Sequence, residues 1–110
     1  MEYPEHLQSA GISKRAHWKA VSLSEGFPFL DEIPHPTPSA VAKLSEENMK
    51  RYRSIVFSVS SGSAKIAVDD PLDYDTKDAL THLVDGTITF YTVLPEAIDK
   101  ALSEQLKERS

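Results

Sequence analysis

The chain has 110 residues, 40% of them hydrophobic and 26% charged, which is the composition of one ordinary globular domain. Its 12 Lys and Arg against 17 Asp and Glu give a net charge of −5, which disfavours non-specific binding to nucleic acid or anionic lipid. Cysteine is absent, which excludes disulfides, a thiolate nucleophile and a Cys-ligated zinc. No apolar run is long enough to span a bilayer, and no secretory signal opens the chain. We therefore expect a cytoplasmic protein without nucleic-acid partners or direct membrane insertion.

The first 38 residues contain a predicted helix and a proline-rich connector. Ser13 is suited to cap a helix over residues 14–24, and Gly26 is suited to end it. That helix carries an apolar face, which we expect to pack either on the body of the domain or on a partner. The face consists of Ile12, Ala16, Ala20 and Leu23. Residues 26–30 form an apolar turn, and the prolines within residues 34–38 require an extended connector.

From residue 39 the pattern becomes regular. A helix is predicted most securely over residues 45–52. The next segment alternates as a strand with one buried face, formed by Ile55, Phe57 and Val59. Residues 61–63 form a short turn, and residues 64–68 are a second strand, which together predict a β-hairpin.

A helix, a strand and a last helix complete the chain. Asp73 is a suitable N-cap for a helix whose buried face is formed by Leu80, Leu83 and Val84. Gly86 closes that helix, and residues 87–93 are rich in β-branched and aromatic residues, as strands are. Pro95 fits the first turn of the last helix. Its apolar stripe consists of Ile98, Ala101, Leu102 and Leu106.

The predicted fold class is α+β. An α-β-β-α-β-α order over residues 39–110 is expected to form a small three-stranded sheet with helices packed on one face. The third strand follows a crossover helix and is expected to run parallel to its neighbour. Residues 1–38 precede this compact unit as the N-terminal helix and connector, and the whole forms one structural unit.

The sequence contains no pattern typical of a catalytic site. Five aspartates between residues 69 and 78 suggest either a divalent-cation site or a helix cap, and capping explains them without a metal. The four histidines lack the spacing of a zinc-protease motif, and no Walker A or Gly-x-Ser-x-Gly motif is present. We therefore predict no enzymatic activity, no catalytic residue, no cofactor and no metal site.

The first predicted helix contains the candidate partner-binding residues. Lys14, Arg15 and Lys19 give it a basic face that suits an acidic protein partner. Trp18 lies among them and is either an aromatic anchor for that partner or part of the core. We predict that these four residues bind a protein partner.

Residues 66–73, Ile-Ala-Val-Asp-Asp-Pro-Leu-Asp, resemble a signature of one bacterial family. The family is the N-terminal domain of type II secretion and type IV pilus assembly ATPases, in which a strand leads into Asp-Pro-x-Asp at the start of a helix. Residues 26–31 and 10–13 are similar to the family's Gly-x-Pro turn and its opening Gly-hydrophobic-Ser step. The resemblance covers about residues 10–106.

The resemblance implies a non-catalytic docking domain. It would link an ATPase motor, located C-terminally in cis, to the cytoplasmic part of an inner-membrane secretion platform protein. The domain would then lie at the periphery of the inner membrane through its partner. The alternative is a stand-alone regulatory domain that binds a nucleotide second messenger such as cyclic di-GMP. Relatives that bind this messenger have an Arg-Leu-Gly opening, whereas residues 2–4 here read Glu-Tyr-Pro.

Overall fold

The computed structural model describes residues 1–109, with side chains through residue 107. Within these residues the helices are α1 Glu5–Ser9, α2 Lys14–Ser24, α3 Pro38–Val41, α4 Glu46–Tyr52, α5 Tyr74–Leu83 and α6 Pro95–Arg109. The strands are β1 Ser54–Ser60, β2 Ser63–Val68 and β3 Thr87–Thr92. The predicted α+β class and the α-β-β-α-β-α order from residue 39 are confirmed, with α3 as one additional short helix.

The three strands form one mixed sheet in the order β1-β2-β3. β1 and β2 are antiparallel, joined through Ser61 and Gly62, which have φ angles of 44° and 80°. Two consecutive positive φ angles are the geometry of a type I′ hairpin turn. β2 and β3 are parallel, with α5 as the crossover between them, as the sequence predicts. β2 is therefore the central strand.

Three helices begin where capping chemistry predicts. The Ser13 hydroxyl accepts the Ala16 backbone N–H across 3.1 Å at the start of α2. Ser45 caps α4 in the same way. Asp73 accepts the Thr76 backbone N–H across 3.0 Å at the start of α5, so the capping interpretation is confirmed for this member of the acidic cluster.

The sheet is covered on both faces at its centre, which corrects the expectation of helices on one face. Residues 54–57 of β1 are all buried, although consecutive strand residues point to opposite faces. Ile66 and Ala67 of β2 are likewise both fully buried. The strict alternation predicted for β1 is therefore wrong for its first half. α3, α4 and α6 all pack against this strand, and a β-bulge shifts its register between Val56 and Ser58.

The buried face of α5 differs from the prediction at one position. Leu80 and Val84 are buried as expected, whereas Leu83 is 43% exposed. Lys77 is buried instead, with its ammonium 4.2 Å from the centre of the Phe27 ring. It donates a hydrogen bond to the Pro71 carbonyl across 2.8 Å. Burial lowers the pKa of Lys77.

The N-terminal segment joins the sheet at its β3 edge. Leu30 donates its backbone N–H to Thr92 across 2.8 Å, and Thr92 donates to the Pro28 carbonyl across 2.9 Å. Phe29 and Thr92 form a parallel bridge, so residues predicted as an apolar turn also act as a minimal edge strand. The segment after α2 is thereby fixed to the body of the domain.

The core lies between the sheet and the helices that flank it. On α6, Ile98, Ala101 and Leu102 are buried as the predicted stripe requires. Gln105 is also buried, at 3% exposure, which the apolar pattern did not predict. None of the described helices combines the length and the apolar character that a bilayer-spanning helix needs.

Candidate partner-binding surface

The inner face of α2 is fixed by one tryptophan. Trp18 is 2% exposed, and its indole N–H donates to the backbone carbonyl of Asp69 across 2.7 Å. Ser22, one turn further along, is fully buried and donates its hydroxyl to the Trp18 carbonyl. The structure thus places Trp18 inside the domain, where it is bonded to the segment that links β2 and α5.

The opposite side of α2 is exposed. With 3.6 residues per turn, five residues share an arc of roughly 140°, which we call the outer face of α2. It consists of Arg15, Ala16, Lys19, Ala20 and Leu23, all of them exposed. Leu23 is 56% exposed, and Ile12, just before the helix, is 41% exposed. The predicted apolar face of this helix was expected to pack either on the body of the domain or on a partner. Because it is exposed, the structure excludes packing on the body of the domain.

The cations of α2 have different surroundings. Lys14 forms an ion pair with Glu96 at the start of α6. Arg15 forms a two-pronged ion pair with Asp31, in which its second nitrogen lies 3.0 Å from the carboxylate. The hydrogen bond from Arg15 lowers the pKa of Asp31, assisted by the positive charges of Arg15 and Lys19. Among the side chains that the structure describes, those of residues 1–107, none forms an ion pair with Lys19.

The ion pairs of Lys14 and Arg15 are exposed, so a partner can compete with them for these cations. Lys14 and Glu96 are 37% and 62% exposed, and Arg15 and Asp31 are 49% and 61% exposed. Exposed pairs of this kind contribute little to stability because solvent screens them, so carboxylates on a partner can displace them. Together with Leu23, the three cations make a surface suited to an apolar segment that carries acidic residues.

An acidic groove adjoins this surface. It has a volume of about 300 Å³ and is lined by Asp31, Glu32, Glu96 and Glu104, with Lys100 as a counter-charge. Two of these carboxylates are the same groups that hold Arg15 and Lys14. Four carboxylates around one groove disfavour an anionic ligand there. The sequence did not predict this groove, because its acidic residues come from separate segments of the chain.

The four predicted binding residues therefore lie on one helix but not on one face. Lys14, Arg15 and Lys19 reach the surface, and Trp18 supports the helix from below. The Lys14 ammonium lies 5.5 Å from the centre of the Trp18 ring, so the indole also contacts the basic surface. Partner binding by these residues stays a prediction. Among the described residues, no group of three or more His, Cys, Asp or Glu side chains is placed to hold a metal.

Comparison with known families identifies the domain. The family model of the MshEN domain matches residues 26–109. The chain belongs to the MshEN domain family. The predicted relationship to the N-terminal domains of type II secretion and type IV pilus assembly ATPases is confirmed, and this MshEN domain is an accessory domain distinct from the motor. No curated protein matches the chain.

The chain is similar in fold to solved structures. A structure of MshE with cdg is 24% identical, with a TM-score of 0.79, and the match covers 89% of this chain and 73% of that chain. A structure of the N-terminal domain of XpsE is 22% identical, with a TM-score of 0.65, and the match covers 94% of this chain and 74% of that chain. At these identities the likeness concerns the fold. The family match begins at residue 26, so α2 lies outside it.

Proposed function

We propose that this MshEN domain is a non-catalytic docking domain of a type II secretion or type IV pilus assembly ATPase. It holds the motor, which follows C-terminally in cis, against the cytoplasmic part of an inner-membrane platform protein. The assembly is thereby kept at the periphery of the inner membrane through protein contacts. The observation that carries this proposal is the outer face of α2, where Leu23 is exposed beside Lys19 and Arg15 on a helix fixed from below.

A fixed helix is favourable for docking. The hydrogen bond from Trp18 to Asp69 and the cap at Ser13 hold both the direction and the start of α2 before a partner arrives. Binding to a preorganised face costs less conformational entropy than binding to a mobile segment. Burial of an exposed leucine such as Leu23 contributes about 1.5–3 kcal/mol of favourable transfer free energy.

The charges specify the chemistry of the partner. The domain carries a net charge of −5, which repels an acidic partner from most of its surface. The cations of α2 provide a local exception, and Lys19 in particular is available for a new ion pair. An acidic, apolar segment of the platform protein fits this pattern, because it complements both Lys19 and Leu23.

The docking proposal is tested with two charge substitutions. Isothermal titration calorimetry measures binding of the cytoplasmic part of the platform protein to the wild type and to a Lys19→Glu, Leu23→Glu variant. We expect a loss of affinity of at least tenfold, which corresponds to about 1.4 kcal/mol. The melting temperature should change little, because both side chains are exposed.

A matched variant separates a local effect from a general change in charge. Lys43→Glu with Leu83→Glu makes the same chemical changes at exposed positions outside α2, since Leu83 is 43% exposed. This control should bind like the wild type. Equal affinities for all three proteins would remove the outer face of α2 from the interface.

A second candidate function is the binding of cyclic di-GMP. It is favoured by the similarity to the structure of MshE with cdg, at a TM-score of 0.79. A ligand that binds the folded state raises the melting temperature by mass action, so thermal unfolding with excess cyclic di-GMP tests it directly. A clear rise would support a regulatory domain, and an unchanged melting temperature would exclude this function for the chain.

A further inference from the structure

The outer edge of β3 is covered over only part of its length. Residues 28–30 lie along it at Thr92, whose backbone N–H and C=O groups both bond to that segment. The chain reaches residue 28 from α2 through a turn at Gly26, where φ is 84°, and the Phe27 N–H still bonds to the Ser22 carbonyl of that helix. No residue of this segment before 28 therefore continues along the strand. We call the remaining stretch, beside residues 87–90, the β3 edge.

The backbone groups of Ile88 and Phe90 point away from β2 at the β3 edge. Alternate residues of a strand direct their N–H and C=O groups to the same side. Thr87 and Val93 donate their N–H groups to carbonyls on the β2 side, each across 2.9 Å, whereas Thr92 bonds to the outer segment. Ile88 and Phe90 share the direction of Thr92, and among the described residues no backbone group bonds to them from that side. Two N–H and two C=O groups are thus available to an added strand.

We propose that the β3 edge binds a short extended segment of a protein partner as an added strand, with apolar side chains on one face and an acidic side chain on the other. Residues 28–30 already bind Thr92 in this way within the chain. Ile88 and Phe90 are partly buried and pack against the core, so they offer apolar contacts on the inner face of the sheet. Residues 87–93 contain neither a charge nor a proline, the features that commonly protect an edge strand from pairing.

Lys65 specifies the charge of the partner segment. It pairs with Thr89 in the register of the sheet, so both side chains lie on the exposed face, and its ammonium is 6.0 Å from the centre of the Tyr91 ring. Among the side chains of residues 1–107, no carboxylate forms an ion pair with Lys65. A strand added beside β3 lies two strand spacings, about 10 Å, from β2, which a lysine and a glutamate span together. An acidic residue on that face therefore complements Lys65.

A second copy of the chain fits the β3 edge less well. Its own β3 carries no acidic residue that could face Lys65, and two domains with a net charge of −5 repel each other. The open stretch covers only residues 87–90, which is short for an interface between two whole domains and sufficient for a peptide.

Binding at the β3 edge is tested by nuclear magnetic resonance. The probe is an acetylated and amidated heptapeptide, Val-Thr-Val-Glu-Val-Thr-Val, added at millimolar concentration to the ¹⁵N-labelled chain. We expect shifts of the Ile88 and Phe90 amide signals and slower hydrogen exchange of both. The Lys19→Glu, Leu23→Glu variant should respond like the wild type, because this site does not depend on docking through α2. Absence of shifts at Ile88 and Phe90 would overturn the proposal. Protection of both amides that rises with protein concentration, without peptide, would assign the edge to a second copy and would also overturn it.

Two N-methylated peptides distinguish an added strand from loose apolar contact. One carries N-methyl groups on the valines and the other on the threonines and the glutamate, so the side chains are the same and only one peptide loses the N–H groups that face β3. We expect that peptide to bind at least tenfold more weakly than the other. Equal affinities for the two would contradict strand addition.

Two variants of the chain test the edge from its own side. Lys65→Glu should weaken binding at least threefold, and a heptapeptide with lysine in place of glutamate should restore it. Ile88→Pro removes an outward N–H group and leaves the bonds of Thr87 and Thr89 to β2 in place, so the affinity should fall at least tenfold. Circular dichroism checks that this variant is folded, and the N-methylated peptides decide the question if it is not. Unchanged affinity of folded Ile88→Pro, or of Lys65→Glu, would contradict the proposal.

Discussion

Trp18 donates its indole N–H to the backbone carbonyl of Asp69, 51 residues further along the chain, across 2.7 Å. Asp69 immediately follows β2 and opens the Asp-Asp-Pro segment that leads to α5. The segment that carries the family signature therefore also receives the anchor of α2. This bond and the burial of Trp18 and Ser22 fix the inner face of α2, so the opposite face is turned outward.

Loss of the indole N–H should destabilise the domain. Trp18→Phe keeps an aromatic ring at the site but leaves the partly buried Asp69 carbonyl without its donor. We expect the free energy of unfolding, measured with urea, to fall by about 1–3 kcal/mol. Tyr74→Phe is the control, because its hydroxyl donates to Glu25 at an exposed site, and its loss should lower the free energy of unfolding much less than Trp18→Phe does. Equal effects of the two substitutions would contradict a specific anchor at Trp18.

Substitution of the two leucines of α5 by alanine should lower the free energy of unfolding by different amounts. Leu80 is fully buried, so Leu80→Ala is expected to lower the free energy of unfolding by about 2–5 kcal/mol. Leu83 is 43% exposed, and Leu83→Ala is expected to change it by no more than about 0.5 kcal/mol. Chemical denaturation of both variants measures the difference. Similar losses would mean that the buried face of α5 is wrongly assigned.

Gly86 should tolerate substitution less well than Gly26. Both have positive φ angles, 95° and 84°, which side chains adopt with strain. A Cβ at Gly86 would also collide with the Gly62 carbonyl oxygen, which accepts the Thr87 N–H, whereas a Cβ at Gly26 meets nothing. We expect Gly26→Ala to cost about 1 kcal/mol and Gly86→Ala clearly more. Equal melting temperatures for the two variants would argue against the close approach of the Gly86 and Gly62 turns.

The Asp73 cap predicts a defined pH dependence. The hydrogen bond from the Thr76 backbone N–H lowers the pKa of Asp73 below its ordinary value of 3.8, against the opposing effect of partial burial. The unfolded chain therefore binds the proton first as pH falls, so the stabilisation is complete above 3.8 and is lost as pH drops through the folded pKa.

The measurement is the unfolding free energy of Asp73→Ala relative to the wild type across this range. At neutral pH we expect a loss of about 1 kcal/mol, the usual effect of removing an N-cap. The difference between the two proteins should narrow as pH falls from 3.8, where the unfolded carboxyl takes up its proton, through the lower pKa of the folded carboxyl. Asp75→Ala, at the second residue of α5, serves as the control. A gap that stays constant through the acid range would contradict the contribution of the ionised cap.

Local chemistry made much of the fold predictable from sequence. The caps at Ser13 and Asp73 and the turn glycines Gly62 and Gly86, both with positive φ angles, each act over a few positions. The parallel third strand was predicted from the crossover helix that precedes it. These signals need no knowledge of distant contacts, which is why they were read correctly.

Tertiary contacts account for what the sequence did not show. A tryptophan and a serine form the inner face of α2 because the indole finds the Asp69 carbonyl, and no local pattern contains that partner. Lys77 is buried because Phe27 and Pro71 receive its ammonium. On the candidate surface, the pairing of Lys14 with Glu96 joins residues 82 positions apart. The cations were predictable, but their partners were not.

The most direct test of the docking proposal is hydrogen–deuterium exchange of the domain with and without the cytoplasmic part of the platform protein. We expect the strongest new protection over residues 12–25, which include the outer face of α2, and little change in α4 or in the β1–β2 turn. Stable binding with protection confined to other parts of the domain would contradict the account.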